Sequence, residues 1–453
     1  MSLSDRLNRS GPDDDARPTL ETGMLRQIAT AAPTRVDLSK LRTEVNDELK
    51  ELIGQRLYSG DLDQDTLQTT VFKAIQIVIE RADYPLTDAD RAELVQEIVD
   101  DILGNGPLEQ LLRDPAVTEV MVARFDTIFV ERAGKLTRTE LTFDGEEHLR
   151  KTIDRIVGKV GRRIDESSPL VDARLKDGSR VNAVVPPIAI DGANLTIRKF
   201  FKEPFTARDM VSTGTLTMEA ITLLHACVQG RLNVVISGGT GSGKTTTLNV
   251  VSSFIPDDER IVTIEDSAEL QIGKPHVIRM ESRPMNIEGQ GLVTIRDLVR
   301  NSLRMRPDRI VVGEVRDGAA LDMLQAMNTG HDGSLTTVHA NSPTDALSRL
   351  ETMGLMAGME LPLAAIRDQV GRAINVIVQQ SRMRDGSRKI TAISEIIGVE
   401  DGKIKLQDLF RFEYNPNPND PKLGQIMATG AQPTFLQRLA ERGVTIPPEV
   451  FQR

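Results

Sequence analysis

The densest chemical signal in the chain is the run Gly238-Gly239-Thr240-Gly241-Ser242-Gly243-Lys244-Thr245. It fits the pattern G-x-x-x-x-G-K-[ST] in full. It follows an apolar run at 232–236 and opens a segment of helical character near Lys244, which is the context this chemistry needs. Glycines at this spacing let backbone N–H groups converge on phosphate oxygens without Cβ clashes, and a helix N-terminus adds partial positive charge. In such a cradle Lys244 reaches the β- and γ-phosphates and the Thr245 hydroxyl ligates Mg²⁺. Thr246 completes the expected binding set, and the expected ligands are ATP and Mg²⁺.

Turnover needs acidic groups as well, to handle the metal's charge and to position a water. Two further apolar runs end in acids: 261–264 leads into Glu265-Asp266, and 310–312 leads into Gly313-Glu314. Ligands of parallel sheets sit beyond the carboxyl ends of strands, where both clusters fall. Glu265 is the leading candidate for activating the attacking water, with Asp266 or Glu269 in support. Gly313 stands where an aspartate usually closes the second run. Glu314 therefore serves Mg²⁺ through water, orients the nucleophile, or does both. The segment 329–341 packs small and polar residues around another strand, and its His331 and His339 are candidates for sensing the γ-phosphate. A lone histidine or strand-end carboxylate is ordinarily structural; these gain weight from their place beside the cradle.

The elements that must hold these groups are legible from periodicity. Residues 1–34 are polar and rich in Asp, Arg, Pro and Thr, the composition of a flexible tail. Helical patterns at 38–57, 64–82 and 88–103 predict a small bundle over 35–105. Short strands at 117–122, 127–131 and 136–143, a helix at 146–160, and strands at 171–175, 179–185 and 194–200 predict an α+β domain over 106–203. From 204 to 453 the rhythm is strand, loop, helix. Apolar strands at 232–236, 261–264, 310–312, 335–338 and 374–378 predict a parallel sheet covered on both faces, an α/β domain of RecA-like kind. Two more strands at 389–397 and 403–412 and a helix near 435–441 close the chain. No internal repeat is evident.

Composition narrows the function further. The net charge is −10, aromatics make up 3% and tryptophan is absent. Neither a global attraction to a phosphate backbone nor a stacking platform for single strands is supplied, so nucleic acid is not the expected partner. The one cysteine, Cys227, sits in an apolar helical run and reads as buried filler. Five histidines form no paired metal-ligand spacing. No apolar run of membrane-spanning length and no signal peptide is present, so the expectation is a cytoplasmic protein that meets a membrane only through partners.

The Walker A run, Glu265-Asp266, Val312-Gly313-Glu314-Val315-Arg316-Asp317 and the His331/His339 segment, in that order, resemble the type II/IV secretion ATPase superfamily. The run Asn301 to Arg309 adds to the likeness. Within it the chain is most similar to the CpaF/TadA branch, motors of tight-adherence (Flp) pili. The likeness rests on the helices ahead of the α+β domain, Val117 to Val122, Val130 to Leu136, and Ala428-Thr429-Gly430. A departure, Ala123-Arg124-Phe125-Asp126 in place of an Asn-Gly turn, touches a surface loop. The resemblance implies a homohexamer with nucleotide between the α+β and RecA-like domains. It also implies arginines of the α+β domain that reach the γ-phosphate, matching Arg180 and Arg198, with Arg174 a weaker third. Partners implied are inner-membrane platform proteins of a pilus, which would place the protein at the cytoplasmic face of that membrane. Two rivals remain: a nucleic-acid translocase on the same core, and a nucleotide-binding regulator without sustained turnover.

Overall fold

A computed structural model describes residues 44, 47, 48, 51, 64–81, 88–102, 104–200, 205–285, 290–416 and 423–453. The tail at 1–34, most of the helix expected at 38–57 and the junction at 201–204 lie outside them. The chain divides into two units, Met1–Leu86 and Thr87–Arg453.

The first unit carries helix α1 (Gln64–Arg81). Val71, Ala74, Ile75, Val78 and Ile79 are buried at three- and four-residue spacing, the single apolar stripe that the helical period demands. Arg81 closes the helix on Glu48 at 2.7 Å.

The second unit begins with α2 (Asp88–Ile102), followed by α3 (Leu108–Arg113), a short helix that the sequence pattern did not signal. Asp100 of α2 accepts two bonds from Arg113, at 2.6 and 2.5 Å. Arg155 of α4 (Glu146–Gly158) donates to the carbonyls of Asp101 and Gly104. The helix α2 is thus fastened to the α+β domain. That domain's sheet is wholly antiparallel, in the order β3 (Lys135–Arg138), β2 (Thr127–Arg132), β1 (Val117–Arg124), β6 (Asn194–Arg198), β5 (Arg180–Val184), β4 (Leu170–Arg174). Val120, Val122, Ile128, Val130, Val181 and Ile197 alternate inward against Leu149, Ile153 and Ile156 of α4.

A nine-stranded sheet forms the rest, in the order β15 (Gly424–Ala428), β14 (Lys403–Tyr414), β13 (Arg388–Glu400), β12 (Val376–Arg382), β7 (Val234–Gly238), β11 (Leu335–Val338), β10 (Arg309–Val312), β8 (Ile261–Glu265), β9 (Val277–Glu281). From β12 to β9 every pairing is parallel; β13, β14 and β15 continue as antiparallel hairpins. Successive side chains of the central strand go to opposite faces. Val234 and Ile236 join one core with α5 (Ala207–Ser212), α6 (Met218–Gln229) and α7 (Lys244–Ser252). Val235 joins the other, with α8 (Ile295–Ser302), α9 (Ala319–Asn328), α10 (Pro343–Leu355) and α11 (Leu363–Ala373). This is the two-faced α/β arrangement expected of a RecA-like domain. Cys227 is fully buried in the first core, and burial pushes its thiol well above the usual range. No helix among the described residues is long and apolar enough to cross a membrane.

Candidate nucleotide-binding site

The cradle forms where β7 ends and α7 begins. Gly241 (φ +67°) and Gly243 (φ +96°) hold the left-handed backbone that only glycine adopts without strain. Gly238 is buried for a second reason: a Cβ there would lie 2.5 Å from both the Gln380 carbonyl and Ser242 Oγ. Loop shape is fixed from within, since Ser242 Oγ donates to the Gly239 carbonyl at 2.9 Å. From behind, buried Thr247 donates to Gln380 Oε1 at 2.7 Å. The first N–H groups of α7 have no carbonyl a turn earlier to bond and remain donors aimed out of the helix end. Gly239 and Thr245 are half-buried, while Thr240, Gly241 and Thr246 are exposed. Lys244 Nζ rests 3.0 Å from the Gly239 carbonyl. Burial lowers its pKa, against the field of the nearby Glu314 carboxylate. A partly desolvated ammonium beside a nest of donors is a fit for phosphate.

The carboxyl ends of β8, β10 and β11 are tied together beside this loop. Gly313 N donates to the Ile264 carbonyl at 2.8 Å, Thr337 Oγ1 to the Gly313 carbonyl at 2.7 Å, and Val315 N to the Thr337 carbonyl at 3.1 Å. Glu314 accepts two bonds from Arg316, at 2.7 and 3.0 Å, and Arg316 also lies 3.4 Å from Asp266. Asp266 is exposed and accepts from Ser282 Oγ at 3.1 Å.

Glu265 differs from both. It is buried, its Oε2 accepts from the N–H groups of Glu269 and Leu270 at 2.8 and 2.9 Å, and its Oε1 has no partner. Burial pushes its pKa up to about 7 in spite of those two bonds. Its Cγ lies 3.0 Å from where a Cβ on Gly313 would sit, so the glycine in place of an aspartate opens the space that Glu265 occupies.

His339 follows β11 directly. Burial, then the charges of Lys244, Arg349 and Arg316, lower its pKa, with Glu314 opposing, so it is neutral at pH 7. Arg349, an exposed residue of α10, acts on both Lys244 and His339, yet no motif around it marks it in the sequence. His331 is not brought to this cluster. It precedes β11, at the amino end of the sheet, where Asn233 Oδ1 accepts from Gly333 N and Ser334 N. Buried Arg309 donates to the Gly333 carbonyl at 3.1 Å there and pairs with Glu259. The histidine-bearing segment therefore spans the sheet, one half at each end.

Arginines of the α+β domain meet the loop after β8. Arg180 pairs with Glu269 at 3.0 Å. Arg174 pairs with Glu281 at 2.8 Å and donates to the Ala268 carbonyl at 2.9 Å, a closer engagement than its sequence context suggests. Arg198, the cross-strand neighbour of Arg180, stays in its own domain, 3.7 Å from Glu119. Among the described residues no group of three His, Cys, Asp or Glu side chains could hold a metal. Thr245 and Glu314 are oxygen donors of the kind Mg²⁺ takes when phosphate oxygens and water supply the rest of its shell.

Residues 101–405, more than half of the chain, match the family described as Type II/IV secretion system protein. A putative conjugal transfer protein of Mycobacterium tuberculosis is 37% identical over 311 residues, covering 67% of this chain and 88% of that protein. The conjugal transfer protein TrbB of Rhizobium radiobacter is 33% identical over 296 residues, covering 64% and 85%. Among solved structures, the VirB11 ATPase of the Brucella suis type IV secretion system is 30% identical, covers 64% of this chain and 95% of its own, and aligns with a TM-score of 0.35.

Proposed function

We propose that this chain, which belongs to the Type II/IV secretion system protein family, is a motor that hydrolyses MgATP. The observation carrying the reading is the meeting, at the carboxyl end of the sheet, of the glycine cradle with Lys244, the Glu314–Arg316 pair and the buried, half-partnered Glu265. Bound Mg²⁺ would supply charge neutralisation between the β- and γ-phosphates. Main-chain donors of Gly241 to Thr246 and Lys244 hold the phosphate chain; the Thr245 hydroxyl, and Glu314 through water, would hold the metal. Glu265, with a pKa of about 7, is poised to take a proton from the attacking water at Oε1. Asp266 and Arg316 orient Glu314, and neutral His339 is placed to feel whether the γ-phosphate is present. Arg180, with Arg198 and Arg174 beside it, supplies positive charge from the α+β domain.

Six copies would form a ring, and changing contacts to nucleotide would open and close the two domains. We assign the motor to the tight-adherence pilus branch, acting on inner-membrane platform proteins from the cytoplasmic face. Support for that branch comes from the helices ahead of the α+β domain and the motifs Val117 to Val122, Val130 to Leu136 and Ala428-Thr429-Gly430; relatives named for conjugal transfer and type IV secretion support the broader secretion-system role. Phosphate release by the purified protein tests the chemistry. Lys244→Ala should abolish turnover, and Glu314→Gln should keep binding but stop hydrolysis. Wild-type rates in Lys244→Ala would refute the site. Light scattering with MgATP tests the ring, which would weigh six times 49.9 kDa, about 300 kDa; a monomer under all nucleotide conditions would exclude it. Stimulation of turnover by DNA would favour a translocase instead.

A further inference from the structure

The hairpin that joins β12 to β13 brings two arginines over the phosphate cradle, and the proposed mechanism does not use them. Arg388 Nε donates to the Gly241 carbonyl at 3.1 Å. A Cβ on Gly243 would lie 3.1 Å from Arg388 Cδ, and one on Gly241 would lie 3.6 Å from Arg382 Nη1. Both side chains thus lie against the loop, and both retain partial exposure, 34% for Arg382 and 40% for Arg388.

Their counter-ion comes from the other domain. Glu131 of β2 lies 3.4 Å from Arg388 Nη2 and 3.8 Å from Arg382 Nη2, and its Oε1 also accepts from Thr118 Oγ1 at 3.2 Å. Arg382 additionally donates to the Gly134 carbonyl in the turn after β2. A cation packed against a phosphate-binding loop would attract the ligand whether or not it had a mate. Two cations sharing one carboxylate leave a net positive charge there, directed at whatever anion enters the loop.

We infer that Arg382 and Arg388 bind the phosphate chain of the nucleotide and that Glu131 competes with it for the same guanidinium N–H groups. The inference rests on the nucleotide reading above and deepens it. Glu131 then has a cost for binding, because its bonds to the arginines must be exchanged for those of the phosphates. The same exchange loosens the grip of the β2–β3 turn on the hairpin, so nucleotide affinity and the hold between the two domains are linked.

Calorimetric titration of the full chain with MgADP separates the possibilities. Glu131→Gln should tighten binding at least threefold. The double variant Arg382→Gln/Arg388→Gln should weaken it at least tenfold while the protein remains folded. Adding Glu131→Gln to that double variant should change the affinity no further, since the competitor has lost what it competes for. A gain of affinity cannot come from damaged folding, so Glu131→Gln keeps the test decisive even if the arginine variant is unstable. If wild type binds and Glu131→Gln leaves the affinity unchanged or weaker, or if the arginine variants bind as wild type does, the competition is refuted while the nucleotide site stands. No saturable binding by wild type would overturn both.

Discussion

At the residue scale, the proposed chemistry turns on Glu265. Its carboxyl is buried with one oxygen held by two N–H groups and the other unpartnered, and its pKa rises from 4.5 to about 7. Between those values the folded protein binds a proton that the unfolded chain has released. The contribution is therefore largest in acid and is lost as pH climbs through 7, by an amount of about 3 kcal/mol. Glu265→Gln keeps an oxygen for the two N–H groups and cannot ionise. The variant should melt within a degree or two of wild type at pH 5 and clearly above it at pH 8.5, while losing hydrolysis. Equal melting temperatures across that range would mean the carboxylate ionises freely in the fold. Wild-type turnover should rise with pH around 7 as the base form appears, a limb absent from Glu265→Gln. Neither property is written in Ile264-Glu265-Asp266, although the position of the two acids at a strand end ranks Glu265 ahead of Asp266. What separates them is burial, and burial depends on Gly313, just past the end of β10 and 48 residues further on.

The strand-to-helix junction is the element that matters most, and it was the most legible part of the chain, because every constraint on it is local. Glycine at positive φ, a helix start and an apolar strand all lie within 20 residues. Gly243→Ala tests the junction directly. The backbone there sits at φ +96°, and the new Cβ would press on Arg388 Cδ and Gln380 Nε2 at 3.1 Å each. Strain of this kind costs about 1–3 kcal/mol, so the variant should melt several degrees lower and bind MgADP more weakly. An unchanged melting point and affinity would show that the loop relaxes around the methyl. The central strands were readable for a similar reason, being apolar throughout and buried on both faces. By contrast β9 was not foreseen, because Val-Ile-Arg-Met-Glu at a sheet edge alternates without a strong apolar run. The sense in which β13 to β15 pair, Arg349, and the place of His331 at the far end of the sheet depend on contacts distant in sequence, which no local pattern encodes.

At the scale of the whole molecule, the question is what the α+β domain contributes to a site built on the other domain. Its β4–β5 edge places Arg174 and Arg180 against the loop after β8, but the two are not equivalent. Arg174 is about one-third exposed and ties down both a carboxylate and a carbonyl, as a fastening does. Arg180 makes one ion pair with Glu269 and keeps 43% of its side chain exposed. An exposed pair of that kind contributes about 0–1 kcal/mol to stability. A guanidinium that moves onto the γ-phosphate as charge develops is worth roughly 10³–10⁵ in rate. The two roles therefore differ in what a variant loses. Arg180→Ala should melt within about 2 °C of wild type and bind MgADP normally, yet its kcat should drop at least a hundredfold. Arg174→Ala should lose stability more than it loses rate. If Arg180→Ala retains kcat, the residue is only the partner of Glu269, and the α+β domain would influence hydrolysis through the position of the Asp266–Leu270 loop rather than by reaching the phosphate.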